Sequence, residues 1–185
     1  PPARTAIAAM SLSHRLHAYI QSEPPAHGRG LRLAIWQGTG DAATPAAVAA
    51  NLERLEAVCA LAAGHGAQLL AFPELYLSGY IVTPELARRL AEPVDGPSLQ
   101  RVSQAARRHG LAVACPYPER ALVAGEERFY DAIALFAPDG TLLGKVLVPH
   151  RVSNLCFGDL YGSRLFLCAS TALYALFTNT RGATF

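Results

Sequence analysis

Lysine is nearly missing from this 185-residue chain: of 16 basic residues, only Lys145 is a lysine. Any chemistry that needs an ammonium group therefore has a single candidate. Charge of either sign is scarce. Charged residues make up 16% of the chain and the net charge is only +2, too weak a field to recruit nucleic acid or a strongly acidic substrate. The four cysteines, Cys59, Cys115, Cys156 and Cys168, include no C-x-x-C pair or other metal-ligand spacing, so neither a zinc site nor a disulfide framework is read from them. Cys59 falls in a helical pattern and Cys115 ends a strand pattern, which predicts buried thiols and a reducing compartment. No run reaches the roughly 18–20 apolar residues of a membrane span. The nearest approach, Leu165 to Phe177, is interrupted by Ser170 and Thr171.

What is plentiful is apolar: 51% of residues, enough for one domain with a sizeable core and against disorder. The charge is uneven. Residues 31–145 carry net −2 and each flank +2, so the middle reads as a different kind of sequence from its ends. Residues 1–30 hold Arg4 and Arg15 with no acid before Glu23. They are expected to be a disordered leader and linker, with an organellar transit peptide as the alternative to a cytoplasmic location and Met10 as an alternative start.

Leu31 to Gln37 predicts a first strand. Thr44 and Pro45 then open a helix, as N-cap and first-turn residues, and Val48, Leu52, Leu55, Val58, Cys59 and Ala62 recur at helical spacing up to Gly64–Gly66. Leu69 to Phe72 has the length of a buried strand, which Pro73 ends because it cannot donate to a sheet ladder. A short helix is expected from Thr83-Pro84. A second amphipathic helix spans Ser98 to His109, with Arg101, Arg107 and Arg108 on a wet face, and Leu111 to Tyr117 is a further strand. Phe129 to Phe136 and Thr141 to Val148 flank a Pro-Asp-Gly turn and are expected to pair as a hairpin. The alternation predicts α/β with mixed strand directions.

The stretch Gln68 to Tyr80, QLLAFPELYLSGY, places a carboxylate, Glu74, where a core strand leaves the sheet, the edge at which open α/β sheets bind ligands. Two readings of Glu74 stand on position alone: a functional carboxylate buried at the floor of a pocket, with its pKa raised by desolvation, or a residue that opens a helix next to Pro73.

Asn51, Gly66, Ala67, Phe72, Pro73, Glu74, Gly79 and Tyr80 together resemble the first catalytic motif of the nitrilase, or carbon–nitrogen hydrolase, superfamily. RFYDAIALFAPDG is similar to that family's Y-N-x-A…P-D-G hairpin, with Asp131 where Asn is usual. The resemblance extends over about residues 31–145. It implies part of a four-layer α-β-β-α sandwich, incomplete in this chain, and hydrolysis of small non-peptide amides or nitriles without metal or organic cofactor. In that chemistry a Cys thiolate attacks the carbon, a Glu moves the protons, and a Lys donates to the developing negative charge. Glu74 matches the general base.

The other two positions depart from the pattern. Lys145 stands three residues before the place of the family's Lys, where Val148 lies, and His150 falls on its His. Cys168, at the end of RLFLC, is the candidate nucleophile but lacks the residues that should follow it, and Cys156 comes too soon after Lys145. Both thiols are expected to be buried or incidental before they are catalytic. The resemblance thus implies a chain whose catalytic set is incomplete and whose family-like sequence ends at Lys145. The abrupt change there is what a retained intron or altered reading frame produces, and residues 146–185 are an atypical tail. A non-catalytic, oligomerising or regulatory homologue and an unrelated α/β binding domain are the rivals. The expected partners are a small amide or nitrile and, for a complete domain, further copies of the chain, with no nucleic acid and no membrane. One sheet without its partner sheet is expected to leave apolar surface uncovered.

Overall fold

A computed structural model describes residues 14–18, 30–38, 40–42, 44–80, 83–144, 146 and 148–182. Most of the predicted leader, and Lys145 itself, lie outside the described residues. The chain divides into two compact units, Pro1–Gly144 and Lys145–Phe185.

The first unit is α/β, as its alternating pattern predicts. Its elements are β1 (Leu33–Ile35), α1 (Pro45–Gly64), β2 (Leu69–Ala71), α2 (Pro84–Leu90), α3 (Pro97–His109), β3 (Ala112–Val123) and β4 (Glu126–Phe136). The four strands form one sheet in the order β1-β2-β3-β4, parallel from β1 to β3 and antiparallel between β3 and β4. Helix starts follow local chemistry. The Thr44 hydroxyl accepts from the Ala47 N–H at 3.0 Å, and that of Thr83 from the Leu86 N–H at 3.3 Å. The start of α3 has Gly96 at its N-cap, which offers no side chain. Glu92 substitutes from four residues upstream, its Oε2 accepting from the Ser98 N–H at 2.9 Å. Gly110 ends α3 in the left-handed region at φ 60°.

One face of the sheet carries the core. Leu70, Val113, Cys115, Ala134 and Phe136 pack against Leu52, Leu55, Val58, Cys59 and Ala62 of α1 and Leu99, Val102, Ala105 and Ala106 of α3. Cys59 and Cys115 are buried thiols, as expected. The opposite face presents Leu33, Ile35, Leu69, Ala71, Ala112, Ala114, Ile133 and Leu135 by strand alternation and register. Leu33, Ile35 and Ile133 there are 50%, 64% and 66% exposed. The expectation of uncovered apolar surface is met on this face.

The hairpin is a correction. Pro138-Asp139-Gly140 does turn the chain, with the Gly140 N–H donating to Ala137 O at 2.8 Å, but the described residues of the segment after it make an isolated bridge, Leu142 to Phe136, and no strand. The long hairpin is β3 with β4, closed by Ala124 and Gly125 at φ 51° and 82°. Both residues of that tight turn lie at positive φ, the geometry that matches the twist of antiparallel strands. Alanine there gives no sequence signal.

The second unit is a three-stranded antiparallel sheet: β5 (Val152–Gly158), β6 (Arg164–Ala169) and β7 (Ala172–Phe177), in that order. The apolar run Leu165 to Phe177 is thus a hairpin. No helix among the described residues is long and apolar enough to cross a membrane. Leu167 is this unit's one buried hydrophobe among the described residues.

Candidate functional site

The turn that carries Glu74 is laid across the end of β3. Phe72 continues the ladder for one bond, its N–H donating to Ala114 O at 3.2 Å. Pro73 then has no N–H to offer, and the chain turns. The Tyr76 N–H donates back to Pro73 O at 3.1 Å, and the Leu77 N–H donates to Pro116 O at 3.2 Å. Between them Leu75 sits at φ 50°, a left-handed conformation that costs a branched, bulky residue roughly 1–2 kcal/mol. A strained residue next to a motif carboxylate is held there by its surroundings.

Those surroundings centre on Asn51, which is 0% exposed on α1. Its Oδ1 accepts from the Asp41 N–H at 2.8 Å and from Arg54 Nη1 at 3.2 Å. Its Nδ2 donates to Asp41 O at 2.8 Å and to Leu77 O at 3.1 Å. All the bonding capacity of the amide is used, and it ties three segments together: the helix, the 40–42 loop and the Glu74 turn. Tyr76 is 1% exposed; its hydroxyl donates to Asn51 O at 3.3 Å, and burial pushes its phenol up to about 12. Backbones meet closely here. A Cβ at Gly40 would stand 2.6 Å from Tyr76 O, and one at Gly79, which is at φ 71°, only 2.5 Å from Asp41 O. Glycine is required at both places.

Glu74 itself is exposed, against the expectation of a carboxylate buried at a pocket floor. The inward side of the turn is taken by Tyr76, Leu77 and Ser78, all buried, and nothing among the described residues closes over its outer side. A shallow cavity of about 380 Å³ lies elsewhere, lined in part by Val94, Leu99, Phe136 and Leu142. Its hydroxyl and guanidinium are spent on backbone: Ser103 Oγ donates to Gly140 O at 2.6 Å and Arg107 Nε to Asp139 O at 2.7 Å.

Lys145 lies outside the described residues. Cys168 is on β6 of the second unit, paired in register with Asn154 and Leu173. Cys168 and Cys156 are exposed free thiols, so of the expected alternatives, buried or incidental, burial does not hold. Of the run RLFLC only Leu167 is buried, and Cys168 next to it is exposed. His150 Nδ1 lies 2.6 Å from the Tyr174 hydroxyl within the same unit. Among the described residues no cluster of three or more His, Cys, Asp or Glu could hold a metal ion.

One buried carboxylate escaped the sequence reading. Glu119 on β3 is 3% exposed and bridges in parallel to Glu92. Its neighbour Tyr117 has a phenol pushed upward, first by burial and then by Glu119. The available signal was Glu119's place directly after the apolar stretch Ala112 to Pro118 of the same strand.

The sequence profile of the carbon-nitrogen hydrolases matches residues 32–154, most of the chain. A hydrolase in the pqqF 5′ region of Pseudomonas protegens is 40% identical over 116 residues, covering 63% of this chain and 37% of that protein. An (R)-stereoselective amidase of a Pseudomonas species is 39% identical over 119 residues, 63% of this chain and 41% of the relative. The chain thus spans about two fifths of the length of these relatives. Among solved structures, an amidase from Nesterenkonia sp. shares 24% identity at a TM-score of 0.45, covering 67% of this chain and 44% of its own.

Proposed function

The chain belongs to the carbon–nitrogen hydrolase family, and from that premise we propose that its first unit carries the general-base half of a site for small amides or nitriles, with Glu74 as the base. The observation that carries the reading is the Glu74 turn: a motif carboxylate beside the strained Leu75, on a turn fastened by the fully bonded Asn51. In the proposed reaction Glu74 takes the proton of a cysteine thiol as the thiolate attacks the substrate carbon. It then protonates the leaving amine and later deprotonates the water that opens the thioester. A lysine would donate to the charge developing on the substrate oxygen or nitrogen.

We infer further that this chain is catalytically incomplete. Lys145 and Cys168 are the only residues offered for the other two roles, Lys145 stands three positions from the family's place, and Cys168 is exposed on a separate unit. Base, nucleophile and oxyanion donor act as a unit, so losing two of them removes nearly all of the rate. The exposed Glu74 and the open sheet face support the companion reading, a non-catalytic homologue that associates with other chains.

A fusion tests both parts. The chain as it stands should release no ammonia from aliphatic amides or nitriles. Residues 1–145 joined to the carboxy-terminal part of the Pseudomonas amidase should do so, and Glu74→Gln in the fusion should abolish it. Turnover by the unfused chain that depends on Glu74 overturns the incompleteness. An active fusion indifferent to Glu74→Gln overturns the role of Glu74.

A further inference from the structure

We propose that Cys156 and Cys168, on adjacent strands of the second unit, form a two-thiol site for a soft, two-coordinate cation of the cuprous type. No short motif joins them in sequence; the strand register brings them together. Cys156 of β5 lies opposite Phe166 of β6, and Asn154 opposite Cys168. Side chains alternate between the faces of a sheet, so Asn154, Cys156, Phe166 and Cys168 share one face. The two cysteines are diagonal neighbours on it, and both are exposed free thiols. The diagonal between them is open. Phe166, which could fill it, leans the other way: a Cβ at Gly158 would stand 3.0 and 3.2 Å from two atoms of its ring. Gly158 pairs with Arg164, at the end of β6 away from Cys168. Arg164 is the one charged residue of the three strands. It is drawn to the far edge of the sheet, its guanidinium 4.4 Å from the ring centre of Phe177 on β7.

Spacing selects what the pair can hold. Diagonal neighbours across an antiparallel pair stand about 7–8 Å apart, whereas a disulfide needs Cα atoms within roughly 4.4–6.8 Å of each other. Direct closure would have to move the strands. One atom between the two sulfurs, at about 2.3 Å from each, takes up the difference. Thiolates select soft cations, while hard ones prefer oxygen. Zinc seeks four ligands, and among the described residues no cluster of three or more His, Cys, Asp or Glu offers them. A cuprous ion is satisfied by two thiolates in line. Each thiol gives up its proton as its Cu–S bond forms, so binding releases two protons and leaves one net negative charge. The copper stays cuprous throughout, and no electron is exchanged. Neither Glu74 nor any other residue of the first unit takes part.

Titration of the full chain with cuprous ion under nitrogen, in competition with a coloured copper(I) chelator, measures stoichiometry and affinity together. The expected result is one ion per chain, with no linking of chains on loading. Cys156→Ser and Cys168→Ser should each weaken binding by about a hundredfold or more, because a single thiolate then replaces a chelating pair, while the far-ultraviolet dichroism stays that of the parent. Cys59→Ala, in the core of the first unit, should leave the affinity unchanged. Zinc should bind at least about a hundredfold more weakly than copper. An affinity no tighter than that of the serine variants overturns the proposal, as does a loss in folded Cys59→Ala as large as theirs. So does copper that joins two chains, or zinc held as tightly as copper.

Discussion

Asn51 and Leu77, 26 residues apart, are joined by a 3.1 Å bond from the Asn51 amide to the Leu77 carbonyl. Through it the helix that covers the sheet also dictates the path of the turn bearing Glu74. Asn51→Ala would strip partners from the Asp41 N–H and from the Asp41 and Leu77 carbonyls. At roughly 1–3 kcal/mol for a buried unsatisfied group, softened by water entering the site, a loss of about 2–4 kcal/mol is expected. Urea unfolding measures it. A midpoint unchanged from the parent would mean that the amide is not the fastener.

Gly79 and Gly110, both at positive φ, separate steric from conformational cost. Gly79→Ala drives a methyl into Asp41 O and the Ala42 Cα at 2.5 and 2.6 Å, while Gly110→Ala meets nothing within 4 Å. The second should cost about 1 kcal/mol, for the left-handed conformation alone. The first should cost at least about twice that, because backbone must move. Equal losses in thermal melts would refute the close approach at Gly79.

Four thiols give a clean accessibility experiment. Cys156 and Cys168 should react with a thiol reagent at mixing speed in the native chain, and Cys59 and Cys115 only after denaturant is added. The alkaline limb of stability follows from the same burial. Desolvation, with a smaller contribution from Glu56, raises Cys59 from 9.0 to about 12. The unfolded thiol ionises first as the pH climbs, so stability is full below about 9 and is lost between there and about 12. Cys59→Ala should flatten that limb. An equally steep limb in the variant would assign it elsewhere, to Tyr76 for example.

The second unit should yield first to protease. A three-stranded sheet with a single buried hydrophobe is marginal by itself. Brief chymotrypsin treatment is expected to cut at Phe157, Tyr161 or Phe166 before any site in residues 44–144, leaving a fragment that still melts cooperatively. Initial cleavage within α1 or α3 would show the opposite order of stability.

How much of this was legible follows from which signals are local. Thr44-Pro45, Thr83-Pro84 and Gly110 announce helix ends through their own side chains or lack of one, and α1, α2 and α3 lie within a residue or two of the places they predict. Pro73 correctly ended β2, whose neighbouring residues carry the motif. The β3–β4 hairpin was not legible because its turn uses Ala124, a residue that rarely adopts φ 51°. Pro138-Asp139-Gly140, with a far stronger composition, turns the chain, but among the described residues that follow it a single bridge to β4 is formed. At the site, the carboxylate's position could be read but its exposure could not, since exposure depends on what covers the turn from far away in sequence. The exposure of Cys168 was illegible for a related reason: an apolar run reads as buried, yet β6 lies in a sheet too thin to bury both its faces.

The sheet's unequal pairing has a consequence in time. β3 and β4 share 11 paired positions across a two-residue turn, whereas β1 and β2 meet over three, with the whole of α1 between them. Contacts close in sequence form early, and those that enclose a long loop wait for it to be organised. The hairpin is therefore the natural nucleus and β1 the last strand to arrive. The same strand should be the first to leave in sub-global opening, with amide exchange fastest at its rungs. Leu77, held to α1 through Asn51, is anchored to the late-forming side of the molecule. The Glu74 turn thus takes its final shape only when folding is nearly complete.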